Sequence, residues 1–278
     1  MRIVTLSNHP GAQLRQERQR RATADDRKHA EFEDARAQHH ARVQLARESR
    51  DEARAQHRWL TWLRSVFAVR REQRLAPTPP LPAGTAGARE AALKAGITGE
   101  QQVEAELERV LGDDWTLLRG YSNRRGEIDH LLLGPQGLIA IEGKHHNGTF
   151  HCDGDEWHFD KYDNYGNLVA AGRPIHDRGG RSPSVQLNEP ASELEGFLRS
   201  RGQQVQVRRV VLFTHPKSRL GNCRNLTVRV ATSTDYVINL VNGSPPVLDA
   251  DQLSQLQRLI IRDHEFHRAH RAQRARRK

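Results

Sequence analysis

The chain has 278 residues, enough for two domains or for one domain with long appendages. Only 36% of them are hydrophobic and 5% aromatic, against 28% charged, which is too polar for the whole chain to share one core. No run approaches the ~18 consecutive apolar residues of a membrane span, and the first residues lack the apolar stretch of a secretory signal. Two cysteines, Cys152 and Cys223, exclude a disulfide framework and a cysteine zinc cluster, so a reducing, cytoplasmic setting is expected.

The net charge of +10 is unevenly spread. Residues 1–76 hold 17 Lys/Arg against 10 Asp/Glu, and residues 262–278 hold 7 against 2. The middle, 77–261, holds 20 against 22 and is slightly acidic. Basic ends of this kind attract polyanions, nucleic acid first and anionic lipid second, or serve as solvated arms.

From Leu14 to Leu75 there is no glycine or proline, and Ala, Arg, Gln and Glu dominate. Residues 1–76 therefore read as a basic helical arm: a projecting helix, a helical hairpin or a coiled coil, though a strict heptad is missing between Arg15 and Arg58. At its end Trp59, Trp62, Leu63 and Val66 fall at helical spacing, with Leu60 and Phe67 alongside and Arg58, Arg64, Arg70 and Arg71 around them. This stripe suits packing against the domain or another copy of the arm better than lying on a membrane. A homo-oligomer through the arm is thus compatible with the sequence, and a membrane partner is not expected.

Residues 77–89 read as a Pro/Gly/Ala linker, because proline removes backbone donors and glycine loosens the rest. A domain follows at 90–243. A helix is expected from about Gly99 to Leu111, and strands at Glu127–Leu133 and Leu138–Glu142 around the turn Gly134-Pro135-Gln136-Gly137. A further strand is expected around Gly148–His158, a long polar loop at 159–183 and a helix from Ser184 to Arg201. Strands at Val205–Thr214 and Leu226–Val230 come next, then a short helix from Ser233 or Thr234 to Val241. A basic C-terminal helix and tail at 244–278 carries an apolar stripe of Leu253, Leu256 and Ile260. Mixed elements in this order indicate an α/β fold with a central sheet.

The stretch GEIDHLLLGPQGLIAIEGKHH, residues 126–146, carries the chemistry. If its two apolar strands pair as a hairpin, Asp129 at the start of one lies near Glu142 and Lys144 at the end of the other. Glu142 and Lys144 are two apart and project to one face. Paired carboxylates suit Mg²⁺ or Mn²⁺, and a nearby ammonium can orient water and offset charge on phosphate. The same spacing would also serve a salt-bridged hairpin. Arg124 and Arg125, just before, are candidate phosphate contacts, whereas His145 and His146 read as exposed loop residues.

At these residues the sequence resembles the nuclease-related domain (NERD) family, a branch of the PD-(D/E)XK restriction-endonuclease-like nucleases. The matching motifs are GITGEQQVEAEL (96–107), EIDHLLLGPQGLIAIEGK (127–144), GTFHCDGDEW (148–157), PSVQL (183–187) and RRVVLFTH (208–215). They cover roughly 90–240. The resemblance implies a restriction-endonuclease-like core, a mixed sheet flanked by helices, and a Mg²⁺- or Mn²⁺-dependent nuclease. It implies Glu100 as the helix acid, with Glu104 as the alternative one turn later. It implies Asp129, Glu142 and the Gly143 carbonyl as metal ligands, Lys144 as the group positioning the attacking water, and Gln186 as a contact from the following helix. The expected partner is nucleic acid, DNA in preference to RNA, gripped by the basic ends. A catalytically silent module that binds nucleic acid or a protein through its arm is the alternative, and the presence of all four charged residues favours the enzyme.

Overall fold

The fold was read from a computed structural model that describes residues 1–81, 87–163, 165–177 and 179–276. In chain order its elements are β1 (Arg2–Thr5), α1 (His9–Ala55), α2 (Trp59–Arg74), α3 (Ala88–Val110), β2 (Thr116–Ser122), β3 (Glu127–Gly134), β4 (Gly137–Lys144) and β5 (Gly148–Asp153). There follow β6 (Glu156–Tyr162), β7 (Leu168–Pro174), α4 (Pro183–Ser200), β8 (Val207–Phe213), β9 (Ser218–Arg224), β10 (Arg229–Ala231), α5 (Asp235–Asn242) and α6 (Ala250–Arg276). They form two units, one of Met1–Ala12 with Ala92–Lys278 and one of Gln13–Ala91.

The smaller unit is a helical hairpin. The uninterrupted run of good helix formers gives a 47-residue α1. It ends where His57 takes a left-handed conformation, φ +51°, and α2 folds back. His39 Nε2 lies 2.8 Å from the Glu72 carbonyl, and Arg42 reaches the Glu72 carboxylate at 3.8 Å. Only His39, Val43 and Ala53 of α1 are buried, too few for a heptad seam. Glu90 is held by Arg18 at 3.1 Å and Arg21 at 2.9 Å. In the single chain the Trp59–Phe67 stripe leaves Trp59, Leu60, Leu63 and Phe67 exposed. Of the linker expected over 77–89, residues 82–86 lie outside the described residues.

In the larger unit a six-stranded mixed sheet has the order β1-β2-β3-β4-β8-β10. Helices cover both faces, which is why β3 and β4 read as nearly continuous apolar runs. On one face α3 and α5 pack Val103, Leu107 and Val237 against Leu132, Ile139, Ile141 and Val210. On the other, α4 and α6 pack Leu187, Leu194, Leu256 and Ile260 against Leu131, Leu138, Ala140 and Val211. Each such side chain contributes about 1.5–3 kcal/mol by leaving water.

The β3–β4 hairpin is locked by its glycines. Gly134 pairs with Gly137 across a two-residue turn, Gly137 has φ +108°, and a Cβ on Gly134 would fall 2.2 Å from the Trp115 ring.

Three expectations need correction. The arm does not start at residue 1, because Arg2–Thr5 pairs in parallel with Thr116–Arg119, and β2 itself has no counterpart among the expected strands. The segment 159–183 is not one long loop: β6 runs to Tyr162 and pairs antiparallel with β7. Together with β5 and β9 these strands form a second sheet in the order β7-β6-β5-β9. The strand expected at Leu226–Val230 is instead β9, ending at Arg224, and the short β10.

Candidate active site

Where the central sheet splays, its charged residues gather. The β3–β4 ladder stops at His130–Ile141, and the β2–β3 ladder skips Gly120 opposite Asp129. Gly120 has φ +70°, and a Cβ there would meet the Ser7 hydroxyl at 2.5 Å. Beyond this irregularity β3 leaves β4, and the Asp129 carboxylate fills the gap by accepting the Gly143 N–H at 2.9 Å.

Glu142 and Lys144 continue the even-numbered row of β4 that begins with Leu138 and Ala140 and faces α4. Lys144 Nζ donates to Glu142 Oε1 at 2.6 Å and to Gln186 Oε1 at 2.8 Å. Gln186 is fixed in turn, because its Nε2 donates to the Arg181 carbonyl at 2.7 Å. It lies in the first turn of α4, which starts with the Ser182 cap and Pro183. One amide thus aims the ammonium.

Glu100 reaches the same place from α3. Gly99 makes this possible: a Cβ there would sit 2.6 Å from Thr214 Oγ1 and 3.0 Å from His145 Cβ, just past the ends of β8 and β4. Burial raises the Glu100 pKa to about 7, with Glu104, Glu127 and Glu142 adding to the rise and Arg119 opposing it. Glu104, one turn on, is committed elsewhere. It accepts from Arg119 at 3.1 Å, lies 3.2 Å from His130 Nε2, and has a lowered pKa because these partners outweigh its burial. Helical spacing alone could not separate the two; the glycine approach does.

The electrostatics follow from crowding. Burial, then Glu142 and Glu100, push the Asp129 carboxyl well above the usual range. Burial disfavours the Lys144 charge, yet Glu142 and Asp129 outweigh it and raise its pKa, so it remains an ammonium. Glu100, Asp129 and Glu142 therefore lie close together, and Asp129 and Glu142 act on Lys144. Such surplus charge suits a hard cation with oxygen ligands. Among the described residues no three His, Cys, Asp or Glu side chains close up as a ready metal cluster. Asp129 and Glu142 alone match the sparse protein ligation of Mg²⁺, which keeps waters and takes substrate phosphate oxygens.

Arg124 is exposed and has a carboxylate partner. It pairs with Glu193 of α4 at 2.7 Å, and both line a cavity of about 630 Å³ bordered by α4 and α6, which holds none of Glu100, Asp129, Glu142 or Lys144. Arg125 is exposed, its carbonyl accepting from Arg181 at 3.0 Å. The basic C-terminal helix is partly structural: Arg271 donates to the Asn123 carbonyl at 2.8 Å and to the Ser122 hydroxyl. His145, expected to be exposed, is half-buried with Nδ1 2.9 Å from Thr214 Oγ1, and burial and His215 lower its pKa.

Two participants, His130 and Asp177, were not among the expected site residues. His130 is fully buried beside Asp129 and ties β3 to Glu104. Asp177, from the segment read as loop, is close enough to add to the raised pKa of Lys144. An Asp followed four residues later by Arg181, which it binds at 2.8 Å, was the available hint.

No curated protein and no solved structure matches the chain. Residues 95–214 match the family model of the nuclease-related domain, NERD, whose general context is the PD-(D/E)XK nucleases. The matched segment runs from Ala95, ahead of the Gly99–Glu100 approach, to Thr214, so this part of the chain is similar to a nuclease-related domain.

Proposed function

We propose that the chain is a metal-dependent nuclease hydrolysing phosphodiester bonds at Glu100, Asp129, Glu142 and Lys144. The observation that carries the reading is the Asp129–Gly143 bond, which holds a carboxylate in the splayed end of the sheet beside Glu142 and Lys144. Asp129, Glu142 and the Gly143 carbonyl would hold Mg²⁺ or Mn²⁺. When bound, the cation supplies Lewis-acid polarisation of phosphate and a more acidic water.

The chain's own groups do the rest. Lys144, held by Gln186 and Glu142, presents a fixed N–H donor to the attacking water and to the charge that develops on phosphate. Glu100, titrating near pH 7, can accept the water's proton or orient the water as its carboxylate. The substrate is nucleic acid, DNA ahead of RNA, and the basic ends grip its backbone without reading sequence. A cytoplasmic site of action is part of this reading, and among the described residues no helix is long and apolar enough to cross a membrane. Self-association through the α1–α2 hairpin belongs to the same reading.

The test is incubation of the full chain with DNA and RNA in Mg²⁺, Mn²⁺ or EDTA. Cleavage that requires the cation and favours DNA is expected. Equal cleavage in EDTA, or none under any condition, overturns the proposal.

A further inference from the structure

The strand carrying Lys144 leads directly into a second feature. After Lys144 the chain passes through His145, His146 and Asn147 into β5, while β8 turns through 214–217 into β9. The two paths are tied together: Thr214 N donates to the Lys144 carbonyl at 3.0 Å, and Ser218 Oγ donates to the His146 carbonyl at 2.7 Å. Parallel pairing then sets Arg219 beside Thr149. The opposite wall is the β6–β7 connection, with Tyr162 and Tyr165. Between them lies a pocket of about 570 Å³, lined by Asn147, Thr149, Tyr162, Tyr165, Lys217 and Arg219 among others.

The chemistry of this lining is selective. Lys217 and Arg219 are exposed and form no ion pair among the described residues. The carboxylate in the wall, Asp163, is turned into its own loop, accepting from Tyr165 N at 2.8 Å, Asn167 N at 2.9 Å and Asn167 Nδ2 at 2.9 Å. That turn fixes the backbone beneath Tyr165, whose side chain packs on nothing: the residue is 92% exposed. An exposed aromatic ring beside two cations that form no ion pair among the described residues matches a nucleotide, a flat base with a phosphate attached. Asn147 is three residues beyond Lys144. That is at most about 10 Å of backbone, a few nucleotide steps at roughly 3.4 Å per step of a duplex strand.

We infer that this pocket is a subsite for an unpaired nucleotide of the substrate strand, Tyr165 and Tyr162 stacking its base and Lys217 and Arg219 holding its phosphates. The inference rests on the nuclease reading for its substrate and adds a class to it: single-stranded nucleic acid, or a duplex frayed beside the cleavage position. A base inside a duplex is already stacked and cannot use the ring.

Binding of a labelled single-stranded DNA oligonucleotide to the full chain in EDTA, followed by anisotropy, tests it without any cleavage. Tyr165→Ala should weaken binding at least about fivefold while leaving the melting temperature unchanged. The Lys217→Ala/Arg219→Ala protein should weaken it further and flatten the dependence of log Kd on log salt by roughly 1.4, for two phosphates of a single strand. Unchanged affinity in both variants, or tighter binding of blunt duplex than of single strand, overturns the subsite. Metal-dependent cleavage by the wild type together with unchanged binding by Tyr165→Ala sinks the subsite alone. Tyr165-dependent binding with no cleavage in any cation supports the subsite and sinks the nuclease reading alone.

Discussion

Asp129 accepts the Gly143 N–H at 2.9 Å at the point where β3 and β4 stop pairing, so a side chain takes over a bond that the sheet has given up. This one bond converts the end of an apolar hairpin into a place where a carboxylate is buried among others.

The Asp129→Asn protein should keep that bond, because an amide oxygen also accepts, while losing the charge that Glu142 and Glu100 oppose. In EDTA its melting temperature should equal or exceed that of the wild type. The wild type should gain stability as Mn²⁺ is added, and the variant should gain little, since only a cation bound to the folded state shifts the equilibrium. Equal stabilisation of both by Mn²⁺ would remove Asp129 from the ligand set.

Glu100 and Glu104 should have opposite pH signatures. Burial first, and its acidic neighbours next, raise the Glu100 pKa to about 7 from 4.5, so its favourable contribution is complete below pH 4.5 and lost as pH rises through 7. Glu100→Gln should therefore flatten thermal stability over that window and stabilise the metal-free protein above pH 7, by up to about 3 kcal/mol. The Glu104 pKa is lowered, so its contribution is present above its ordinary value and lost as pH falls. Glu104→Gln should cost about 1–3 kcal/mol at neutral pH by stranding Arg119 and His130. Chemical denaturation across pH 4–8 reads both, and like signs in the two variants would contradict the assignment.

In the proposed mechanism Gln186 acts through Lys144, whose Nζ donates to its Oε1 at 2.8 Å. Gln186→Ala should lower kcat by about 10–100-fold, a range typical of lost support to a site group, with KM for nucleic acid nearly unchanged. Gln186→Glu should retain more activity, since its carboxylate still accepts from Lys144 Nζ. A rise in KM with kcat intact would place Gln186 on the substrate instead.

Gly99→Ala probes the approach of α3. The new methyl would meet Thr214 Oγ1 at 2.6 Å. A cost of about 1–3 kcal/mol and a loss of the Glu100 titration signature are expected. Thr214→Ala in the same protein should restore part of both, because it removes the nearest clashing atom. Full stability in Gly99→Ala alone would mean that α3 does not depend on that contact.

The legible parts of the chain were those whose pattern is local. The hairpin of β3 and β4 announces itself by apolar runs around a Gly-Pro-Gln-Gly turn, and the Asp129, Glu142 and Lys144 juxtaposition follows from antiparallel pairing. Helix α4 was legible within a residue at each end, expected from Ser184 to Arg201 and found at Pro183–Ser200. β1 is four residues long and finds its partner more than a hundred residues away, at Thr116. β7 shows no alternation because nearly all of Leu168–Pro174 is exposed, so it read as loop. The choice between Glu100 and Glu104 required knowing which turn of α3 meets Thr214 and His145. Arg124 looked free because its partner, Glu193, lies on a helix that only the fold brings near.

The most direct test of the central claim is the single-turnover rate of DNA cleavage in Mg²⁺ by the wild type and by Asp129→Asn, side by side. The account predicts cleavage by the wild type that EDTA abolishes, and a loss of more than roughly 100-fold in the variant with salt-sensitive DNA binding retained. Equal rates in the two proteins would contradict it.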